Sequence, residues 1–180
     1  MLFEEKFIDI KGGKATLRAP KVSDAQELIE YLIATAGETD YLIRTPQDIC
    51  LTVEQEERFL QNTLNSPYDL MIVCEVDGKI AGNCSLMFMN KEKMRHRASV
   101  GIALLQEFWN RGIGTQMFVE MEKAAREKGV RQMELEVLEG NERAMHLYEK
   151  MGFRFVGHRP DAFMMKDGTL LKEYFMQKLL

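Results

Sequence analysis

No stretch of this chain approaches 18 consecutive apolar residues, so nothing in it reads as a membrane-spanning helix. No leader pattern opens it, because Glu4 and Glu5 precede any apolar run of useful length. A cytoplasmic location and no membrane partner are the expectation. Cysteine is scarce: Cys50, Cys74 and Cys84 make an odd number without metal-like spacing. Reduced thiols are expected, with Cys74 and Cys84 as small core residues of apolar strands. The three histidines, His96, His146 and His158, are isolated, and no metal site is proposed. Basic charge is not in excess. A net charge of -4 and a pI near 5.5 argue against nucleic acid as the main ligand and permit a cationic one. No Gly-Lys-Ser/Thr sequence occurs, and the third glycine of a G-x-G-x-x-G fingerprint would fall at Met117. There is no internal repeat, low-complexity tract or linker. The 180 residues read as one domain, 1–180, of a size that buries roughly 70% of its unfolded surface.

What the chain does have is a regular alternation of strand and helix signals. Ala15 to Ala19 reads as a first strand, and Ser23 as the cap of a helix facing the core through Ala25, Leu28, Ile29, Leu32 and Ile33. A loop from Gly37 to Leu51 carries Glu38, Asp40 and Tyr41. Thr52 with Gln55 forms a capping box for a second helix reaching about Leu64. Strands Leu70 to Val76 and Lys79 to Met89 flank the hairpin signal Asp77-Gly78. A second hairpin around Asp167-Gly168 joins the strand after Gly152 to a last one from Thr169 to Leu179.

Two stretches carry chemistry. In the first, Ser99 to Leu105 is an apolar run with little alternation, as for a strand covered on both faces. Arg111, Gly112, Ile113 and Gly114 then lead into a helix from Thr115 to Lys128. Glycine at a strand-to-helix turn lets a ligand approach the backbone, where the first free N–H groups of the helix and its dipole favour an anion. Arg111 adds a fork of donors suited to phosphate. Taken alone, two glycines near a helix start are more often ordinary turn chemistry. In the second stretch, NERAMHLYEKMGF, Asn141 caps a short helix whose Ala144, Leu147, Tyr148 and Met151 form one apolar face, and Gly152 ends it before the strand at Phe153. Tyr148 reads either as a packing residue or as a functional one.

Together these stretches resemble the GCN5-related N-acetyltransferase (GNAT) superfamily, whose acetyl-CoA site is a Q/R-x-x-G-x-G/A turn followed by a strand and an Asn-led helix bearing a tyrosine. Gly112 and Gly114 match the family glycines, whereas Trp109 stands where Gln or Arg is usual. Asn141, Ala144, Leu147, Tyr148, Gly152 and Phe153 all match. The resemblance implies an α/β (α+β) fold: a mixed, mainly antiparallel central sheet of about seven strands, helices on both faces and a splayed central strand pair. It implies an acyl-CoA-dependent N-acetyltransferase that moves acetyl from acetyl-CoA to a primary amine. The acceptor is a polyamine, an amino acid or sugar amine, or a protein N-terminus or lysine. A catalytically silent CoA-binding module is the alternative. Cofactor-binding residues implied are Leu104, Leu105, Trp109, Asn110, Arg111, Gly112, Ile113, Gly114, Thr115, Asn141 and Tyr148. Leu104 and Leu105 would pair by their backbones with pantetheine amides, in a cleft between strands parting after Ser99 and Arg131. The loop between the first two helices shapes the acceptor site in relatives, and the last two strands commonly make homodimers.

The chemistry itself sets two requirements. An amine with a pKa near 10.4 is about 0.1% neutral at pH 7.4, so a base is useful. The departing thiolate has a conjugate acid near pKa 8.5, and a phenol can deliver a proton to it. Tyr148 fits that role. The candidate bases are Glu75, Glu107, Glu134, Glu136 and His96.

Overall fold

A computed structural model describes all 180 residues. Eight strands form one sheet: β1 (Lys6–Ile10), β2 (Gly13–Arg18), β3 (Asp69–Val76), β4 (Lys79–Phe88), β5 (Arg97–Leu104), β6 (Gln132–Leu138), β7 (Arg154–Met164) and β8 (Leu170–Leu179). Four helices accompany it: α1 (Ala25–Glu38), α2 (Val53–Asn65), α3 (Ile113–Glu127) and α4 (Glu142–Lys150). Strand order is β1-β2-β3-β4-β5-β6-β8-β7, and every neighbouring pair is antiparallel except β5 with β6.

The strand that sequence reading missed is β1. It is an edge strand pairing only with β2; its burial alternates, but Phe7 places an apolar residue on the exposed face, so the sequence lacks the matching polar alternation. Gly12, at φ +89°, turns the chain back into β2. The start of α1 also differs from expectation. Ser23 is not its cap; a 3-10 turn over Val22–Asp24 precedes the helix, and Asp24 holds that turn by accepting the Lys21 N–H at 2.7 Å. The Thr52–Gln55 capping box forms, and Asp77 and Gly78 both take positive φ (51° and 77°), as a two-residue hairpin requires.

Laterally paired residues share a face of a sheet and successive ones alternate, which places the helices. Tyr31 of α1 meets the Asn83 side chain (Oη to Oδ1 3.0 Å), and Asn83 pairs with Ala103. Gly114 of α3 sits on the other side, where an added Cβ would lie 3.7 and 3.9 Å from the Cδ1 atoms of Leu104 and Ile102. α1 and α3 therefore cover opposite faces. On the α3 face, Met117, Phe118, Met121 and Met133 are almost wholly buried. On the α1 face, α1 and α2 lie over β4 and β3.

β5 departs from the expected strand covered on both faces. Of its eight residues only Ala98 is buried, and Gly101 is exposed. The reason is the neighbour: β6 runs parallel to β5 only from Arg97–Gln132 to Ser99–Glu134. From Val100 onward β5 bonds to β4 alone, and from Leu135 onward β6 bonds to β8 alone. The central pair is splayed.

Candidate active site

The splay opens into a cleft of about 920 Å³. Its walls come from the end of β5 (Ile102 to Leu104), the turn before α3 (Trp109, Asn110 and Gly112 to Thr115), the start of α4, and the end of α1 with the loop after it (Glu38, Tyr41 and Leu42).

The turn leaves the first N–H groups of α3 open. Gly112 is the N-cap of α3 at φ +90°, a conformation that L side chains rarely adopt, and a Cβ placed there would meet nothing within 4 Å. The first helical bond is Gln116 N–H to the Gly112 carbonyl at 3.2 Å. The N–H groups of Ile113, Gly114 and Thr115 thus have no backbone acceptor, and no side chain caps them. Gly114 has another role. A Cβ there would lie 2.9 Å from Leu147 Cδ2, so this glycine lets α3 approach α4 closely.

Two expectations fail here. Arg111 does not line the cleft; its guanidinium lies over the Phe108 ring at 5.1 Å, because its carbonyl is tied to the Lys11 N–H (3.0 Å) and the chain turns the side chain outward. Leu105 is buried and its N–H is spent on the Ala81 carbonyl at 3.0 Å, which continues the β4–β5 ladder and leaves nothing to offer a ligand. The Leu104 carbonyl, meanwhile, accepts the Trp109 indole N–H at 2.7 Å. The remaining predicted positions, Leu104, Trp109, Asn110, Gly112, Ile113, Gly114, Thr115, Asn141 and Tyr148, all face the cleft.

Asn141 caps α4, its Oδ1 accepting the Ala144 N–H at 3.3 Å. Seven residues on, Tyr148 is 8% exposed, wedged between the rings of Phe118 (5.6 Å, 68°) and Phe153 (6.3 Å, 56°). Burial alone pushes its pKa up to about 12. Its hydroxyl has no hydrogen-bond partner in the protein and is not sealed from solvent, because it opens on the cleft. Met145 is the other buried residue of α4, one that the expected apolar face omitted.

None of the five candidate bases lines the cleft. Three are already neutralised: Glu75 by Arg18 (3.0 Å), Glu134 by Arg97 (2.7 Å) and Glu107 by Lys79. His96 is exposed in the turn before β5. Glu136 alone combines a place on the parted half of β6 with freedom from an ion pair; it is exposed, and partial desolvation followed by the nearby Glu173 carboxylate raises its pKa. By register it shares the Ser99 and Asn83 face of the sheet, opposite Ile102 and Leu104.

The loop after α1 contributes differently from what its acidic residues implied. Asp40 does not reach the cleft, and the Glu38 carboxylate is occupied by the Gln106 N–H at 2.7 Å. Tyr41 is the residue that closes over the site: its hydroxyl lies 3.3 Å from where a Cβ of Gly140 (φ +88°) would stand. Sequence reading also missed Arg143, on the first turn of α4. Its guanidinium stacks 4.5 Å above the Trp109 ring and donates to Asn110 Oδ1 at 2.7 Å. Its position two residues after the cap was the available signal.

The comparisons agree with this geometry. A profile of the acetyltransferase (GNAT) family matches residues 37–153. The chain is similar to a Bacillus subtilis (strain 168) protein provisionally named ribosomal protein bS18-alanine N-acetyltransferase, at 29% identity over 120 residues, 67% of this chain and 69% of that protein. It is 23% identical over 139 residues to the L-amino acid N-acetyltransferase AaaT of Escherichia coli (strain K12), 74% of this chain and 85% of the relative. Among solved structures, a GNAT-family acetyltransferase from Streptococcus pneumoniae superposes with a TM-score of 0.86 at 29% identity, covering 92% of this chain and 99% of that one. The chain belongs to the acetyltransferase (GNAT) family.

Proposed function

We propose that this acyl-CoA-dependent N-acetyltransferase acetylates the α-amino group of a peptide, with Tyr148 as general acid and Glu136 as general base. Acetyl-CoA, the cosubstrate, supplies the acetyl group as a thioester. The residues fit it: three free N–H groups at the start of α3 face an open cradle at Gly112, and Trp109, Asn110 and Asn141 stand around the same cleft. Such N–H groups, aligned with the helix dipole, hold an anion.

The observation that carries the reading is the parting of β5 and β6 beyond Ser99 and Glu134. It leaves a slot through the sheet, with Tyr148 opening on one side and Glu136 borne by β6 on the other face. Tyr148 stays protonated well above neutrality and holds a proton for the departing thiolate; its hydroxyl is free to do so. As a carboxylate, Glu136 attracts an ammonium and accepts its proton.

A peptide α-amine suits so modest a base. At a pKa of 7.7 to 8.0 it is roughly a quarter neutral at pH 7.4, against about 0.1% for a lysine. One curated relative is named for an alanine of a ribosomal protein and the other for L-amino acids. Thiol release from acetyl-CoA, followed across an Ala-led peptide, free amino acids, a polyamine and an amino sugar, tests the proposal. The peptide should give the highest kcat/KM. A faster polyamine or lysine acceptor would overturn the α-amine reading, and bound acetyl-CoA with no turnover on any amine would overturn transfer itself.

A further inference from the structure

Trp109 is the only tryptophan of the chain, and the structure uses it as a platform. Its indole N–H is fixed on the Leu104 carbonyl at 2.7 Å, which sets the plane of the ring against the end of β5. Arg143, from the first turn of α4, lies over that ring at 4.5 Å. Asn110, at φ +59°, takes one guanidinium N–H on its Oδ1 at 2.7 Å and fixes the group within its plane. Stacking and hydrogen bonding together position the guanidinium without neutralising it, since Arg143 enters no ion pair. A guanidinium has five donors, and the protein engages one here. An exposed arginine left unpaired usually extends freely into water. This one is held at the mouth of a cleft, beside the three open N–H groups of Ile113, Gly114 and Thr115.

We propose that Arg143, held by Trp109 and Asn110, is the side chain that binds a phosphate of acetyl-CoA, the role that Arg111 holds on sequence grounds alone. The chemistry is that of a planar, permanently charged fork meeting phosphate oxygens. Stacking on Trp109 prepays the entropy of ordering a long side chain, which ordinarily opposes such a contact. Lys150 and His146 also line the cleft, but neither has a partner that fixes it there. Arg111 is directed away over Phe108. The proposal rests on acetyl-CoA being the ligand of the cleft, and its test separates the two.

Because Trp109 is the sole tryptophan, its fluorescence reports acetyl-CoA binding directly, and calorimetry supplies the Kd independently. Wild-type protein should bind acetyl-CoA with a change in tryptophan emission; no binding would overturn the reading of the cleft rather than the role of Arg143. Given wild-type binding, Arg143→Gln should weaken it by tenfold or more and flatten its salt dependence. Arg143→Lys, which keeps the charge and loses the fork, should recover only part. Arg126→Gln, which removes an equal charge from the last turn of α3, should bind as wild type. Trp109→Leu, followed by calorimetry, should lose affinity in the same direction as Arg143→Gln. The penalty with dephospho-CoA tells which phosphate is held: it persists for the pyrophosphate and vanishes for the 3′-phosphate, and either outcome supports the assignment. Arg143→Gln binding acetyl-CoA within twofold of wild type, with unchanged melting temperature, would overturn it.

Discussion

Ser99 and Glu134 are the last residues at which β5 and β6 face one another in register. One step further, Val100 and Leu135 belong to ladders that run apart, β5 with β4 and β6 with β8. The register also puts Glu134 and Glu136 on the sheet face opposite the Ile102 and Leu104 side chains that wall the cleft. In the mechanism we propose, a thioester on one face and an amine on the other meet through the gap, with Tyr148 and Glu136 each on its own side.

Gly112 and Gly114 separate ligand approach from packing. Gly112→Val forces a branched side chain into φ +90° in the space above the open N–H groups, so acetyl-CoA affinity should fall more than tenfold, over about 1.4 kcal/mol. Gly114→Val would instead drive a side chain into Leu147, and its first effect should be a lower melting temperature. Calorimetry on folded Gly112→Val with native affinity would remove the cradle from the account.

Glu136→Gln should lower kcat/KM for the amine and leave acetyl-CoA binding intact. The sign of its pH dependence follows from the raised pKa. Glu136 works as a base only when ionised, so activity falls as pH drops through that pKa, which is raised from its ordinary value. The acid limb of the wild-type profile should vanish in Glu136→Gln. A variant that keeps the same limb would point to another group, such as the amine itself.

On the acceptor side, Tyr41→Ala should raise the KM of the amine by several fold with little change in that of acetyl-CoA, because Tyr41 closes the loop after α1 onto Gly140. Asp40→Asn, by contrast, alters an exposed carboxylate that does not reach the cleft, and should leave both constants unchanged. Steady-state kinetics on the two variants decides between closure by packing and attraction by charge.

Arg18 and Asp24 tie the first strand hairpin to the start of α1. Their buried pair has two contacts, Nη1 to Oδ2 at 2.6 Å and Nη2 to Oδ1 at 3.2 Å, and the Arg18 Nε also reaches Glu75 at 3.0 Å. Asp24→Ala leaves a buried guanidinium half-compensated and removes the Lys21 N–H acceptor, so urea unfolding should show a loss of about 3 kcal/mol. A change below about 1 kcal/mol would mean that Glu75 compensates.

The elements with strong local signals were legible. The Asn141 cap, the Asp77-Gly78 hairpin and the Thr52 box are one-segment features, and each forms as its residues dictate. What sequence reading lost depends on partners distant in the chain. Phe7 and Ile8 could not announce β1 while one face of it meets solvent, and nothing local to Arg111 reveals that Phe108 and Lys11 turn it outward. Nothing local singled out Arg143, because its platform, Trp109, lies 34 positions earlier. The five candidate bases were equivalent until ion pairing distinguished them, and ion pairing is a tertiary property.

The central claim is that Tyr148 gives its proton to the leaving thiolate. Its ring packs against Phe118 and Phe153, contacts that phenylalanine retains, so Tyr148→Phe should fold and bind acetyl-CoA as wild type does. With a pKa near 12, Tyr148 itself should cause no alkaline loss of activity below about pH 11. The direct measurement is the single-turnover rate of acetyl transfer to the preferred amine, wild type against Tyr148→Phe, which removes product release from the comparison. The account predicts a loss of roughly 10² or more that shrinks as the donor thiol is made more acidic. Equal single-turnover rates would contradict it and return Tyr148 to the hydrophobic core.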